Sequence, residues 1–544
     1  MCAGPVEMIY RLRQPSILRR ARVLLLSSAT VLILLAGPAR AAPGGVPSSN
    51  PAAQNVLVNQ DKSVITAHNS PSLAQNPVKP AQLVVVDRVD RPDYTAWVHI
   101  SSDQGRTWQD SSLVLPAGSK SKLFAPTAAF DQRGTLYVQF VTLSGPGNSP
   151  DSVWIERSAD GGVTFDQPSQ VTGANSFQTT LAVDRKNGRL FAAWLQSNPA
   201  ATHCNLCFTQ TGLPILVTYS DNQGRSWSPP AQVSDPGRAR IGAPAVAVDG
   251  QGNPAIVYYD FGSDRVDWEN LPGAYDAKFS LIVARSPDRG ATFSAGRVVD
   301  ADIVPPHRFL VYLPDSPGFA TGLDGRMVVA WADARGGESD IFSRSSGDGG
   351  DSWTAPVRVN GDPAGNGVSK DHPAVGVAPG GRVDVLYYDR ILDHRGTTAD
   401  VFLSSSSDGG RSFPRVLRVS SQSSDRAVGP LGSPFDNEAD FGTRISLVST
   451  TNQALAVWTD TRFGTADTGR QDIYSGVVNL PASRGLSAVQ VAIGGAGVVL
   501  GLIGVGLYVS SRRRRTRGPV SRPPSSHIDS PPPLPPLVPT PGQV

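Results

Sequence analysis

SSDQGRTW, residues 101–108, reads as a tight β-turn, and the chain repeats it five more times. The other copies are SADGGVTF from Ser158, SDNQGRSW from Ser220, SPDRGATF from Ser286, SGDGGDSW from Ser346 and SSDGGRSF from Ser406. The common pattern is Ser-x-Asp-x-Gly-x-Thr/Ser-Trp/Phe. Its acidic position is Asp103, Asp160, Asp288, Asp348 and Asp408, with Asn222 substituting once. Ser and Asp side chains bond the backbone of their own turn. The glycines Gly105, Gly162, Gly224, Gly290, Gly350 and Gly410 supply a φ that other residues resist. The aromatic that follows, as at Trp108, Trp227 and Trp353, packs beneath the loop. Copies begin 57 to 66 residues apart, the period of one four-stranded blade in a radial array.

Outward from each turn the strands fall into register. In the sixth unit PAVGVAP (373–379) is an inner strand, RVDVLYYD (382–389) the second, DVFLSSSS (400–407) the third and RVLRVS (415–420) the fourth. Apolar runs bounded by Gly, Pro and Asp carry this reading. Second strands recur at Leu83–Asp87, Thr135–Val141, Leu190–Gln196, Ala255–Asp260, Met327–Asp333 and Ala454–Asp460, giving seven for six turns. The last unit stops at DIYSGVV (472–478), and QNVLVNQ (54–60) looks like the fourth strand it lacks. The expectation is an all-β, seven-bladed propeller over residues 54–480, closed by an N-terminal strand. Six blades with an accessory sheet is the alternative.

The repeated turn resembles the Asp-box, or BNR, repeat of sialidase-like β-propellers. That resemblance implies the propeller fold. For an enzymatic member it also implies three arginines on a sugar carboxylate, a Tyr nucleophile assisted by a Glu, and an Asp acid/base. Guanidinium suits a carboxylate because it binds bidentately, and the Tyr nucleophile is the known exception to paired carboxylates in glycosidases. The chain departs from the family in lacking an early Arg-Ile-Pro motif and in its blade count, since enzymatic sialidases have six.

The ends read differently. Residues 1–41 carry an Arg-rich start, an apolar run and an Ala39-Arg40-Ala41 cleavage site, the features of a secretory signal. Residues 42–53 follow as a linker. Leu486–Val509 is 24 residues of uncharged apolar sequence, long enough to span a bilayer. Arg512–Arg515 then place the C-terminus in the cytoplasm. Residues 510–544 are basic, then Pro- and Ser-rich, and are expected to be disordered, with PPPLPPLVP (531–539) a candidate ligand for an SH3-like partner. These features describe a single-pass cell-membrane protein with its propeller outside. Frequent Arg and the lack of Asn-x-Ser/Thr sequons in the ectodomain point to a bacterium. The net charge of +3 comes largely from the termini, and the propeller has no basic stripe, which argues against nucleic acid. Cys204 and Cys207 suit a small disulfide on the oxidising side of a membrane, with free thiols or a metal site using His203 as alternatives.

Strand alternation puts the repeated turns on one face and the long, variable loops on the other, where sites concentrate. Second strands end there in Asp260, Asp333, Asp389 and Asp460, and Val86-Asp87 looks similar; WADAR, YYDR and WTDTR add Arg335, Arg390 and Arg462. The functional reading is a polar funnel for an anionic glycan. The structural reading is that each Asp caps its own loop or pairs with a nearby Arg. Candidate catalytic groups are Glu269 or Glu438 with Tyr259 or Tyr275. Arg335, Arg390, Arg444 and Arg462 are candidate ligands for a carboxylate. No metal ligands are assigned, and no cofactor is required, although DNEAD (436–440) offers oxygens for a structural Ca²⁺. Two functions remain: a non-catalytic module recognising a glycan or surface protein, and a membrane-anchored exo-sialidase-like hydrolase.

Overall fold

A computed structural model describes residues 51–118, 122–145, 148–173, 175–196, 213–238, 240–262, 278–306, 316–393, 395–430 and 438–481. All belong to one compact unit ending at Ser483. The chain forms seven antiparallel sheets, each led by an inner strand. Blade one is His68–Gln75, Leu83–Val89, Thr95–Ser101 and Gln109–Ser111. The inner strands of blades two to seven are Leu123–Phe130, Ser176–Val183, Ile241–Val248, Gly318–Thr321, Lys370–Val377 and Ser446–Ser449. Each inner strand packs on the next, and that of blade seven packs on that of blade one. The seven-bladed expectation holds.

Blade seven continues through Gln453–Asp460 and Asp472–Asn479, and the strand beside the latter is Asn55–Leu57. Val56 is opposite Ser475. The chain is already docked before this strand, because the Ala52 N–H donates to the Arg418 carbonyl at 2.7 Å and Ala53 is buried. The structured unit therefore reaches into the stretch read as a linker.

The apolar second and third strands explain the core. Alternate side chains face opposite neighbours, so the core divides into one layer per seam between blades. Val257, Tyr259 and Leu281 of blade four meet Met327, Val329 and Trp331 of blade five. At the closing seam Leu73, Val85 and Trp108 meet Leu455, Val457 and Ile473, and the Trp108 indole N–H donates to Ser475 Oγ at 3.2 Å.

The six repeated turns share one hydrogen-bond scheme. In the first, Ser101 Oγ donates to Asp103 at 2.8 Å and accepts from the Gly105 N–H at 2.9 Å. Asp103 also accepts from the Thr107 N–H and hydroxyl. Asn222 keeps the scheme by accepting the Ser226 N–H through Oδ1 and donating its amide to Ser226 Oγ. That is why the substitution is tolerated there.

Inner strands carry a kink the sequence reading missed. Ser70, Ala125, Gln178, Ala243 and His372 have φ of 49–53°, each at a β-bulge in the pairing with the second strand. Four are followed by Pro, which cannot donate to the ladder and is tolerated at bulges. Each kinked residue is the third of its inner strand, so the kinks gather at one end of the axis, level with the last residues of the second strands.

Candidate functional site

The acidic floor at that end is built of capped loops. Asp333 accepts the Arg335 N–H at 2.9 Å, Asp389 the Ile391 N–H at 2.9 Å, Asp460 the Arg462 N–H at 2.9 Å and Asp260 the Gly262 N–H at 3.0 Å. Three of the arginines are also answered. Arg335 is bonded to Asp333 and Asp300, Arg462 to Asp460, and Arg390 to Glu438 at 2.8 Å and Asp371 at 3.3 Å. They belong to different blades, and each is held by its own carboxylates. Asp87 does not end its strand, which runs on to Val89. It is buried inside blade one, so its likeness to the floor residues was a coincidence of local sequence. Tyr259 packs with Phe261 and Phe279 in a core layer, and Glu438 faces Arg390 and Arg426. Glu269, Tyr275, Cys204 and Cys207 lie outside the described residues, as do Asp436 and Asn437 of the proposed calcium loop.

Arg444 differs from the other three. It sits just before the inner strand of blade seven, in a segment that crosses the axis and bonds several blades at once. Thr443 N–H donates to Ser70 Oγ of blade one at 3.0 Å, and its carbonyl accepts the Ser316 N–H beside blade five at 3.2 Å. The Gly442 carbonyl meets His372 Nε2 of blade six at 2.9 Å. Arg444 itself donates to the Pro126 carbonyl of blade two. Only glycine fits at 442: its φ is +89°, and a Cβ would come within 2.5 Å of the Ser70 nitrogen. Residues 442–444 thus form a plug that delivers one guanidinium to the axis.

Around that guanidinium is a cavity of about 40 Å³ lined by Arg88, Phe124, Gln178, Thr179, Ser316 and Arg444, among others. Arg88 comes from the end of the second strand of blade one and holds Asp90 and Asp440, each at 2.7 Å. Its guanidinium lies 5.0 Å from the centre of the Phe124 ring. Arg444 has no carboxylate partner among the described residues. Burial, and then the nearby charge of Arg88, push its pKa down to about 10. Arg88 Nε, Arg444 Nε and Thr179 Oγ1 are buried and lack hydrogen-bond partners among the described residues. A polar group buried without a partner is costly. The residues that carry them line one cavity, and its two guanidiniums are groups suited to a carboxylate.

Sequence reasoning named Arg444 and missed Arg88, which sits in LVVVDRV, a stretch that reads as plain interior strand. It also missed His68 and His99, which blade one brings to Asp87; one ligand atom from each of the three lies within 4.8 Å of the others. Among the described residues no helix is long and apolar enough to cross a membrane, and Leu486–Val509 lies outside them.

No family model and no curated protein matches the chain. Solved structures similar to it include a protein of unknown function from Dyadobacter fermentans, at 12% identity and a TM-score of 0.45, covering 79% of this chain and 100% of that one. The Hadza microbial sialidase Hz136 aligns at 14% identity with a TM-score of 0.39, over 74% of this chain and 75% of its own. The α-L-arabinofuranosidase Arb93A of Fusarium graminearum aligns at 13% identity with a TM-score of 0.45, over 82% and 99%.

Proposed function

We propose that this is an exported, membrane-anchored propeller that recognises a carboxylate-bearing glycan at its loop-rich axial mouth and leaves it intact. The carrying observation is Arg444, a guanidinium with no carboxylate partner among the described residues, beside Arg88 in the lining of one small cavity. A carboxylate held between these guanidiniums leaves the rest of the ligand to extend along the face. Phe124 and Tyr94, edge to face at 5.6 Å, supply an aromatic wall there. The likeness of the six turns to Asp boxes favours a sugar over a peptide, and we infer that these turns are Asp boxes. Of the four catalytic candidates, the two among the described residues are engaged structurally, Glu438 by two arginines and Tyr259 by aromatic rings. Anchoring rests on the sequence of residues 486–515.

The test is calorimetry of the purified full chain with uronate- and sialate-terminated oligosaccharides and with their carboxyl-reduced counterparts. A charge-assisted pair is worth about 1.5–3 kcal/mol, roughly a 10- to 100-fold change in Kd. Binding weakened to that extent by reduction of the carboxylate, and by Arg444→Met, is the expected result. Equal affinity for reduced ligands would refute the carboxylate reading. Free sugar in the recovered ligand would replace recognition with hydrolysis.

A further inference from the structure

We propose that His68, Asp87 and His99 form a site for a divalent transition-metal ion, such as zinc, inside blade one. The three residues lie on adjacent antiparallel strands, and Asp87 is opposite Trp97, between the register positions of the two histidines. His68 Nδ1 is 2.5 Å from Asp87 Oδ2, and His99 Nε2 is 3.0 Å from Asp87 Oδ1. The two imidazoles therefore address different oxygens of one carboxylate. An ion between them meets two imidazole nitrogens and a carboxylate, a two-histidine, one-aspartate donor set that zinc accepts. One ligand atom from each residue lies within 4.8 Å of the others, and ligation replaces the direct contacts of the two imidazoles with Asp87.

The outer nitrogens supply an independent argument. His68 Nε2 is 3.1 Å from Asp61 Oδ1, and His99 Nδ1 is 2.7 Å from Asp110 Oδ1. A histidine that ligates a metal through one nitrogen characteristically gives its other N–H to a carboxylate, which fixes the tautomer and the ring. Both histidines here are held that way, on opposite sides of Asp87.

An ion bound through His68 Nδ1 and His99 Nε2 takes the place of the contacts these atoms make with Asp87, while the outer nitrogens keep theirs with Asp61 and Asp110. The side chains of His68, Asp87 and His99 are 0% exposed, so the ion enters as the chain folds and then resists chelators. Asp61 and Gln60, whose N–H meets Asp110 at 3.1 Å, follow the closing strand directly. The ion would pin that segment to blade one.

The test uses the full chain from cells supplied with zinc. Elemental analysis after EDTA treatment is expected to find one zinc per chain, with an X-ray absorption shell of imidazole nitrogen and carboxylate oxygen. His99→Gln should abolish it. Asp110→Asn, which keeps every ligand, should weaken retention roughly 10- to 100-fold and serves if His99→Gln misfolds. Folded wild-type protein without bound metal would overturn the site, as would zinc retained by a folded His99→Gln variant. A shell containing sulfur would also overturn it, by placing the ion at Cys204 and Cys207.

Discussion

The guanidinium of Arg444 lies near that of Arg88 at the axial mouth, and among the described residues only Arg88 of the two is answered by carboxylates. A like-charge pair with one partner uncompensated is a liability in the free protein. Replacing an unpaired buried ion by an apolar side chain of similar size often stabilises. Arg444→Met is therefore expected to raise the denaturation midpoint without ligand, by about 1 kcal/mol, while abolishing ligand-induced stabilisation. Urea unfolding with and without a uronate oligosaccharide reads both effects.

Gly442→Ala attacks the plug instead of its charge. The added Cβ would meet Ser70 backbone and Oγ at 2.3–3.0 Å, at a φ of +89°. The expected cost is on the order of 2–3 kcal/mol, together with loss of anion binding as Arg444 is displaced. Unchanged affinity in this variant would show that the plug does not position the site.

Glu156 sets a pH dependence. It is buried on the third strand of blade two; burial pushes its pKa up to about 8, and the Val114 N–H only partly opposes that. A carboxyl whose folded pKa exceeds its unfolded value stabilises in its neutral form. That contribution is complete below pH 4–5 and is lost as pH rises through 8. Each tenfold change in proton affinity between the folded and unfolded chain is worth about 1.4 kcal/mol. Glu156→Gln should therefore gain on the order of 3 kcal/mol over wild type at pH 9 and little at pH 5. Thermal melts at the two pH values distinguish this from a uniform change.

Asn59 is the fourth target. It is buried, gives its amide to Asp61 at 2.8 Å and Asp472 at 2.9 Å, and accepts the Ile473 N–H at 2.8 Å. Asn59→Ala leaves a buried donor and two carboxylates short of a partner, at a cost of about 2–4 kcal/mol. Hydrogen exchange should rise first in residues 55–61 and 472–479.

The blades were legible because six of the seven units state their own turn in local sequence, and local chemistry is what a sequence displays. The proposed site was not legible. Arg335, Arg390 and Arg462 follow second strands and Arg444 precedes an inner strand, but what sets Arg444 apart chemically is the lack of a carboxylate partner among the described residues. The Asp at position i captures the Arg at i+2 in WADAR and WTDTR, so those arginines are spent locally. Arg88 escaped notice because one of its two partners, Asp440, is 352 residues away. His68 and His99 escaped for the same reason: only the pairing of three strands brings them to one carboxylate. The inner-strand kinks did leave a trace, in the repeated x-Pro of NSPS, FAPT, GAPA and DHPA. That trace is faint because proline is common throughout the chain.

The strand Asp472–Asn479 lies between Asn55–Leu57 on one side and Gln453–Asp460 on the other, antiparallel to both. A load drawn along the axis of this strand works against two ladders together, in shear, so sliding it out requires backbone bonds on both sides to fail at once and not one after another. The segment that closes the ring is thereby also one that shares force with its neighbours.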